Sequence, residues 1–297
     1  MHAEPQPASL PLPGGRDDAT VRLHPLLVAT GKGPEAWFHR QEGRLAGLRA
    51  IGVGSDTREV PYQAFLVEHP GAGRFLIDTG FHPSVAVDPK ANLGRVGARV
   101  FSPEMEASDA APAQLRARGI EPSEIKTILM THLHGDHASA ISEFPGATFL
   151  ISQQEWDEAS TVSRPATHGY VRRHFDHAFE FRTIDFGGSA VDSFATFGRG
   201  VDVFGDGSVR LVFTPGHTLG HTSVILRLKE REALVAGDAI YTMKTLEDGH
   251  KPYRMEDEHL FERSLREIQI YAKETPDALI IPGHDMAAWR KLSPVYE

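Results

Sequence analysis

Three histidines and one aspartate fall within six residues, His132-Leu133-His134-Gly135-Asp136-His137, in a chain of 297 residues that has no cysteine. Imidazole and carboxylate at this density are metal-ligand chemistry. Without thiolates, any metal must be held by nitrogen and oxygen alone. The apolar run "IKTILMT" reads as a buried strand ending at Thr131, so the motif occupies the turn that follows it. Gly135 permits a tight backbone there. Alternate residues of an extended stretch point the same way, so His132 and His134 can share one metal. Asp136 and His137 lie past the turn and can point at a different spot. One turn can therefore feed two neighbouring ions.

Two ions need further ligands, and three other apolar strands end in a histidine or an aspartate. "VRLVFTPGH" delivers His217, "ALVAGD" delivers Asp238 and "DALIIPGH" delivers His284. Sites in α/β sheets gather at the carboxyl ends of strands. Four ligand clusters in that one position say more than any single histidine among the sixteen.

The HxHxDH motif, followed by His217 in "TPGHTLGH", Asp238 in "AGDAIY" and His284 in "PGHD", resembles the metallo-β-lactamase-fold hydrolases. "FLIDTG" resembles the strand and turn that precede the motif in that superfamily, and the match spans about residues 60 to 290. The resemblance implies an α/β fold, a four-layer αβ/βα sandwich with two divalent metal ions at one edge. It implies that His132, His134 and His217 bind the first ion, that Asp136, His137 and His284 bind the second, and that Asp238 bridges them. Zinc is the expected metal, although His and carboxylate ligands also accept cobalt, manganese or iron. Asp78 in "LIDTG" is expected to hydrogen-bond the ligand loop from behind, and His221 to orient a ligand or the substrate.

Within the superfamily, "TPGHTLGHTS", "DAIYT" and the late "PGHD" look most like the N-acyl homoserine lactone lactonases. That resemblance implies a quorum-quenching hydrolase in which a hydroxide held between the metals opens a lactone ring. Tyr241, three residues after Asp238, is then the donor to the developing oxyanion. Asp136 is expected to carry the proton to the leaving ring oxygen. The same dimetal chemistry suits another lactone, an aryl ester, a phosphotriester or a glutathione thioester. Glutathione-thioester hydrolases of this fold draw basic residues from a C-terminal extension, for which only Arg290 and Lys291 stand after "PGHD". A mononuclear-iron persulfide dioxygenase of similar fold and motif is the redox alternative, and a regulatory protein with structural metals is the non-enzymatic one. A homodimer is expected from the related lactonases.

The elements that must position these residues are legible in part. "YQAFLVEH" and "RFLIDTG" read as neighbouring strands joined through "PGAG"; "VDVF" and "VRLVFT" flank the hairpin signal "GDGS"; "SVILRL" and "ALVAGD" flank "KERE". A helix is expected over residues 108–119, with Ser108 as N-cap and Gly119 just past its end. Phe261, Leu265, Ile268 and Ala272 predict another over 258–274. "FLIDTGFH" and "LVAGDAIY" echo one another, a faint sign of internal duplication. Residues 83–107 and 153–200 read as connecting segments with short helices that wall a pocket. The segment 84–107 could serve as a lid or a dimer contact.

The remaining expectations follow from composition. A net charge of −9 disfavours nucleic acid as a partner, because phosphate binding draws on clustered Lys and Arg. No apolar run approaches the ~18 residues of a membrane span. Residues 1–20 are rich in Pro, Gly and small polar side chains, so a mobile leader is expected ahead of one hydrolase domain over 21–297. That leader lacks the pattern of a secretory signal, and a cytoplasmic location is expected. His2, His24, His39 and His69 read as surface or core residues, and His168, His174 and His177 mostly as surface. Trp37, Phe38, Phe65 and Phe101 are candidate liners of an apolar channel for a small-molecule substrate.

Overall fold

The structure, a computed structural model, describes every residue of the chain except Ala190. One sheet holds β1 (Gln6–Pro7), β2 (Arg22–Pro34), β3 (Thr57–His69), β4 (Gly73–Ile77), β5 (Pro103–Glu104), β6 (Thr127–Leu129), β7 (Thr148–Ser152) and β8 (Glu180–Ile184), in the spatial order β1-β8-β7-β6-β4-β3-β2-β5. The other holds β9 (Asp192–Phe194), β10 (Phe197–Asp202), β11 (Val209–Phe213), β12 (Thr222–Arg227), β13 (Glu232–Gly237) and β14 (Leu279–Pro282), in the order β14-β13-β12-β11-β10-β9. The helices are α1 (Glu35–Phe38), α2 (Ala46–Ala50), α3 (Pro89–Phe101), α4 (Ala111–Ala117), α5 (Gly135–Ala138), α6 (Gln153–Thr161), α7 (Met243–Asp248), α8 (Glu258–Glu274) and α9 (Met286–Trp289).

Side-chain alternation makes the layers. Phe65 and Val67 of β3, Ile77 of β4 and Leu129 of β6 face Leu211, Val224, Leu226 and Val235 of the opposite sheet, forming the central core. Their chain neighbours Ala64, Leu66, Leu76 and Ile128 point outward and are covered by Leu115 of α4 and Trp156 of α6. On the far side, Val212, Ile225 and Leu234 are covered by Phe261, Leu265 and Ile268 of α8. Strands buried on both faces read as continuous apolar runs, as β3 and β13 do. The expected αβ/βα sandwich is the observed one, and each expected hairpin pairs antiparallel. The two echoing segments hold matching positions. β4 and β13 each pair antiparallel on one side and parallel on the other, and each leads to an aspartate.

Three expectations are corrected. Residues 1–20 do not hang free. β1 adds to the edge of β8, Leu12 N–H donates to the Val203 carbonyl at 2.7 Å, and Ala8, Leu10 and Leu12 pack on the central core. A proline at a sheet edge needs no partner for a missing N–H, so a Pro-rich segment can be ordered there. The helix over 108–119 begins later, at Ala111. Ser108 lies in a short 3₁₀ turn over Ala107–Asp109, and Pro112 occupies the first helical turn. Residues 83–107 and 153–200 hold the expected helices but also the strands β5, β8 and β9. In α3 only Leu93 is buried, and Gly94 breaks the helix at φ 75°, which erases the periodic signal. In α6 the inward stripe is Glu155, Trp156 and Ala159, so a carboxylate interrupts it.

Among the described residues, no helix is long and apolar enough to cross a membrane.

Deleting residues 1–12 should lower unfolding stability by about 2 kcal/mol, the burial of two partly covered leucines and their neighbours. A urea titration would show a lower midpoint. An unchanged midpoint would mean that the segment is not part of the fold.

Candidate metal centre

Five strand ends converge on one edge of the sandwich: β4 leads to Asp78, β6 to the 131–137 loop, β11 to His217, β13 to Asp238 and β14 to His284. Their loops are tied directly to one another. Thr131 donates its N–H to Asp78 Oδ1 (2.8 Å) and its hydroxyl to Asp78 Oδ2 (2.7 Å). Asp78 itself sits at φ 57°, a conformation that Asp tolerates better than most residues. Gln63 of β3 donates to the carbonyls of Pro282 (2.8 Å) and Gly283 (3.0 Å), fixing the turn that carries His284. Close approach demands glycine at position 283, because a Cβ there would lie 2.5 Å from Asp238 Oδ1.

The seven expected ligands fall into two groups. His132, His134, His217 and Asp238 form one, and Asp136, His137 and His284 form the other. Within each group the nitrogen and carboxylate atoms lie within 4.8 Å of one another. Asp238 faces both. Its Oδ2 is 3.2 Å from His217 Nε2 and 3.3 Å from His284 Nε2, and its Oδ1 is 3.4 Å from His137 Nε2.

The outer hydrogen bonds decide which ring nitrogen is free. His137 Nδ1 lies 2.7 Å from Asp78 Oδ2, so it carries the proton. His284 Nδ1 faces the Pro61 carbonyl at 3.2 Å and also donates. His132 Nδ1 is 3.1 Å from the Thr131 hydroxyl, whose own proton is given to Asp78, so this nitrogen donates too. His217 Nδ1 is 3.3 Å from the Tyr241 hydroxyl oxygen. His132 Nε2 is thus left with its lone pair inward, and Nε2 of His137 and His284 offers one once its own proton is displaced. His132 Nε2 and Asp238 Oδ1 are buried with no hydrogen-bond partner, and His217 Nε2 lies only 3.0 Å from His134 Nδ1. Convergent lone pairs around buried carboxylates fit divalent cations, since an unpartnered buried polar atom is otherwise costly. Among the described residues, no lysine or arginine pairs with Asp136 or Asp238.

Electrostatics divides the two groups. Burial, with His137 beside it, holds His132 well below the usual imidazole range; burial does the same to His217 and lowers His134. These three are neutral, ready-made ligands. Burial pulls His137 down as well, but Asp136, Asp78 and Asp238 outweigh it and raise the ring well above its ordinary value. His284 is raised against its burial, chiefly by Asp238. Asp238 is drawn well below the carboxylate range, against its burial, by His284, His217 and His137.

His221 does not reach either group as a ligand. Its Nε2 accepts the Asp238 N–H at 3.0 Å and its Nδ1 faces the Thr214 hydroxyl at 2.9 Å, so it holds the Asp238 backbone. Burial takes its pKa down to about 3, keeping Nε2 an acceptor. Tyr241 stands between the rings of His217 (5.4 Å) and His284 (5.2 Å). Burial and then Asp238 raise its phenol well above 10, so it stays protonated. Phe38 lies 5.8 Å from Tyr241 and 6.0 Å from His284, ring to ring. Phe65 is a central-core residue instead, and Phe101 packs on Tyr62 and Phe81. Trp37 rests on Tyr253. His174, expected at the surface, is buried against the Asn92 carbonyl at 3.0 Å, while His168 pairs with Glu256 at 2.9 Å. His39 and His69 are buried and engaged elsewhere, His39 with Glu35 (2.5 Å) and Thr242 (2.8 Å), His69 with Asp206 (3.0 Å).

Three residues around the centre have no signal in the ligand pattern: Gln63, Glu155 and Tyr62, whose ring lies 5.5 Å from His284. The continuous apolar context of β3 shows that residues 62 and 63 are in a strand, but not that they face the centre.

Residues 57–284 match the family model described as the metallo-beta-lactamase superfamily. The chain belongs to that superfamily. Among its members, the N-acyl homoserine lactonase AttM of Rhizobium radiobacter is 34% identical over 240 residues, 80% of this chain and 86% of that protein. The N-acyl homoserine lactonase of Bacillus cereus is 25% identical over 229 residues, 76% of this chain and 82% of that one. A solved structure, an N-acyl homoserine lactone hydrolase with the product N-hexanoyl-L-homoserine bound at its catalytic metal center, superposes with a TM-score of 0.76 at 22% identity. That likeness covers 94% of this chain and 100% of the other. The dizinc quorum-quenching lactonase AidC gives 0.62 at 15% identity, covering 93% and 92%.

Because the surrounding carboxylates raise the proton affinity of His137 and His284, zinc uptake near pH 7 should release protons. Apparent affinity should fall as the pH is lowered, by about tenfold per unit for each proton displaced. Calorimetry in buffers of differing ionisation enthalpy measures the release. Zero release would contradict the assignment of these two rings.

Proposed function

We propose that the protein is a dinuclear metal-dependent hydrolase that opens the ring of N-acyl homoserine lactones, with zinc as the resident metal. The observation that carries the reading is the pair of inward-facing ligand groups sharing Asp238, with a protonated phenol beside them. The named lactonase relatives, matched over most of their length, support the substrate class. His132, His134 and His217 would hold one ion, Asp136, His137 and His284 the other, and Asp238 would reach both. When bound, two such cations polarise a carbonyl and lower the pKa of water to ~7, so that a nucleophile exists at neutral pH.

The chain's own groups do the rest. His217 gives its Nδ1–H to the Tyr241 oxygen, which leaves the phenol proton free to turn toward the substrate. Tyr241 donates that proton in a hydrogen bond to the carbonyl oxygen as negative charge develops on it. Asp136, placed with its Oδ2 3.5 Å from both His137 Nε2 and His284 Nε2, takes the proton that the attacking water gives up and passes it to the departing ring oxygen as the ring C–O bond breaks. Phe38 and Tyr62 wall the His284 side with hydrocarbon and keep solvent from it. A second carboxylate–imidazole group favours two ions over the single iron of a dioxygenase.

Tyr241→Phe should lower kcat on an acyl homoserine lactone about a hundredfold, the cost of losing one oxyanion donor, with unchanged metal content. Unchanged turnover would remove Tyr241 from the chemistry. In a substrate panel, a preference of several orders of magnitude for a glutathione thioester or a phosphotriester would reject the lactone reading and leave the metal centre standing.

A further inference from the structure

Glu155 is a fully buried carboxylate that no step above uses. It lies in the first turn of α6, near Glu158 and the Tyr170 hydroxyl, and each of its oxygens accepts a hydrogen bond from one of the two loops that carry His132, His134 and His217. Its Oε1 accepts the N–H of Leu133 at 2.8 Å, the residue between His132 and His134. Its Oε2 accepts the hydroxyl of Thr218 at 2.5 Å, the residue after His217. Around it the same helix start grips the His217 loop twice more. Ser152, its N-cap, donates to the Gly220 carbonyl at 2.6 Å, and Glu158, one turn on, accepts the Leu219 N–H at 2.8 Å. The fit is tight: a Cβ at Gly220 would lie 1.9 Å from the Glu155 nitrogen.

This arrangement is the counterpart of Asp78. Asp78 ties Thr131 to His137, whose ring belongs to the Asp136–His137–His284 group. Glu155 touches neither Asp136, His137 nor His284 through a hydrogen bond; both of its oxygens are spent on loops of the other group. Burying a carboxylate is expensive, and a neutral residue would join two loops at lower cost. Burial pushes the Glu155 carboxyl up to about 7, so a cation in front of the three imidazoles draws it into its charged form, and that form, hydrogen-bonded to the backbone between two of them, steadies the rings.

We propose that Glu155 is a positioning residue that sets the metal affinity of the His132–His134–His217 group selectively, leaving that of the Asp136–His137–His284 group unchanged. The inference rests on the dimetal reading but not on the identity of the substrate.

Two single-site backgrounds test it, with zinc affinity read by competition against a chelating indicator. His284→Ala leaves the first group whole, and His134→Ala leaves the second. Adding Glu155→Gln should weaken zinc binding tenfold or more in the His284→Ala protein, the usual cost of losing a partner behind a ligand. It should change affinity less than twofold in the His134→Ala protein. Equal weakening in both backgrounds, or in neither, overturns the proposal. If Glu155→Gln does not fold, Thr218→Val decides in the same two backgrounds. It removes one arm of the brace and should weaken only the first group, whereas Thr218→Ser, which keeps the hydroxyl, should bind as the parent does. If the unmutated protein binds no zinc, the metal assignment itself fails, and this inference with it.

Discussion

Lone pairs from five imidazoles and two carboxylates are forced into one buried volume, and the rest of the molecule is arranged around that demand. Four of the five rings are oriented by what the outer nitrogen meets: Asp78 for His137, the Thr131 hydroxyl for His132, the Pro61 carbonyl for His284 and the Tyr241 oxygen for His217. Once those nitrogens are spent, the inner ones face only one another and the carboxylates of Asp136 and Asp238. Divalent cations would resolve the conflict, and without them the carboxylates raise the hold of His137 and His284 on their protons. The glycine at 283 and the conformation of Asp78 are consequences, because the loops must approach more closely than ordinary side chains allow.

The sandwich supplies this geometry through its parallel strands. β6 runs beside β4 and β14 beside β13, so their carboxyl ends reach the same edge. Two sheets packed face to face then bring two such edges together. That is why ligands separated by up to about 150 residues of sequence can meet: the sheets fix the register, and each loop has only to turn a corner.

The ligands were legible because each one ends an apolar strand, and that pattern survives without knowledge of the tertiary structure. The supports were not. Gln63 looks like a lone polar interruption of an apolar strand, yet it turns inward to two carbonyls. Glu155 interrupts the apolar stripe of α6 and so conceals both the helix and its own burial. α3 buries one side chain and is broken at Gly94, which leaves no helical period to read. The N-terminal leader looked mobile because proline and glycine dominate it, but three small apolar contacts along a sheet edge are enough to hold it. Composition reports what a segment could do alone; these segments are decided by what they lean against.

The most direct measurement of the central claim is anomalous scattering at the zinc edge from crystals of the zinc-loaded protein. Two peaks per chain are expected, one among His132, His134 and His217 and one among Asp136, His137 and His284, with the Asp238 carboxylate in contact with both. A single peak, or two peaks with Asp238 touching neither, would contradict the shared dinuclear centre.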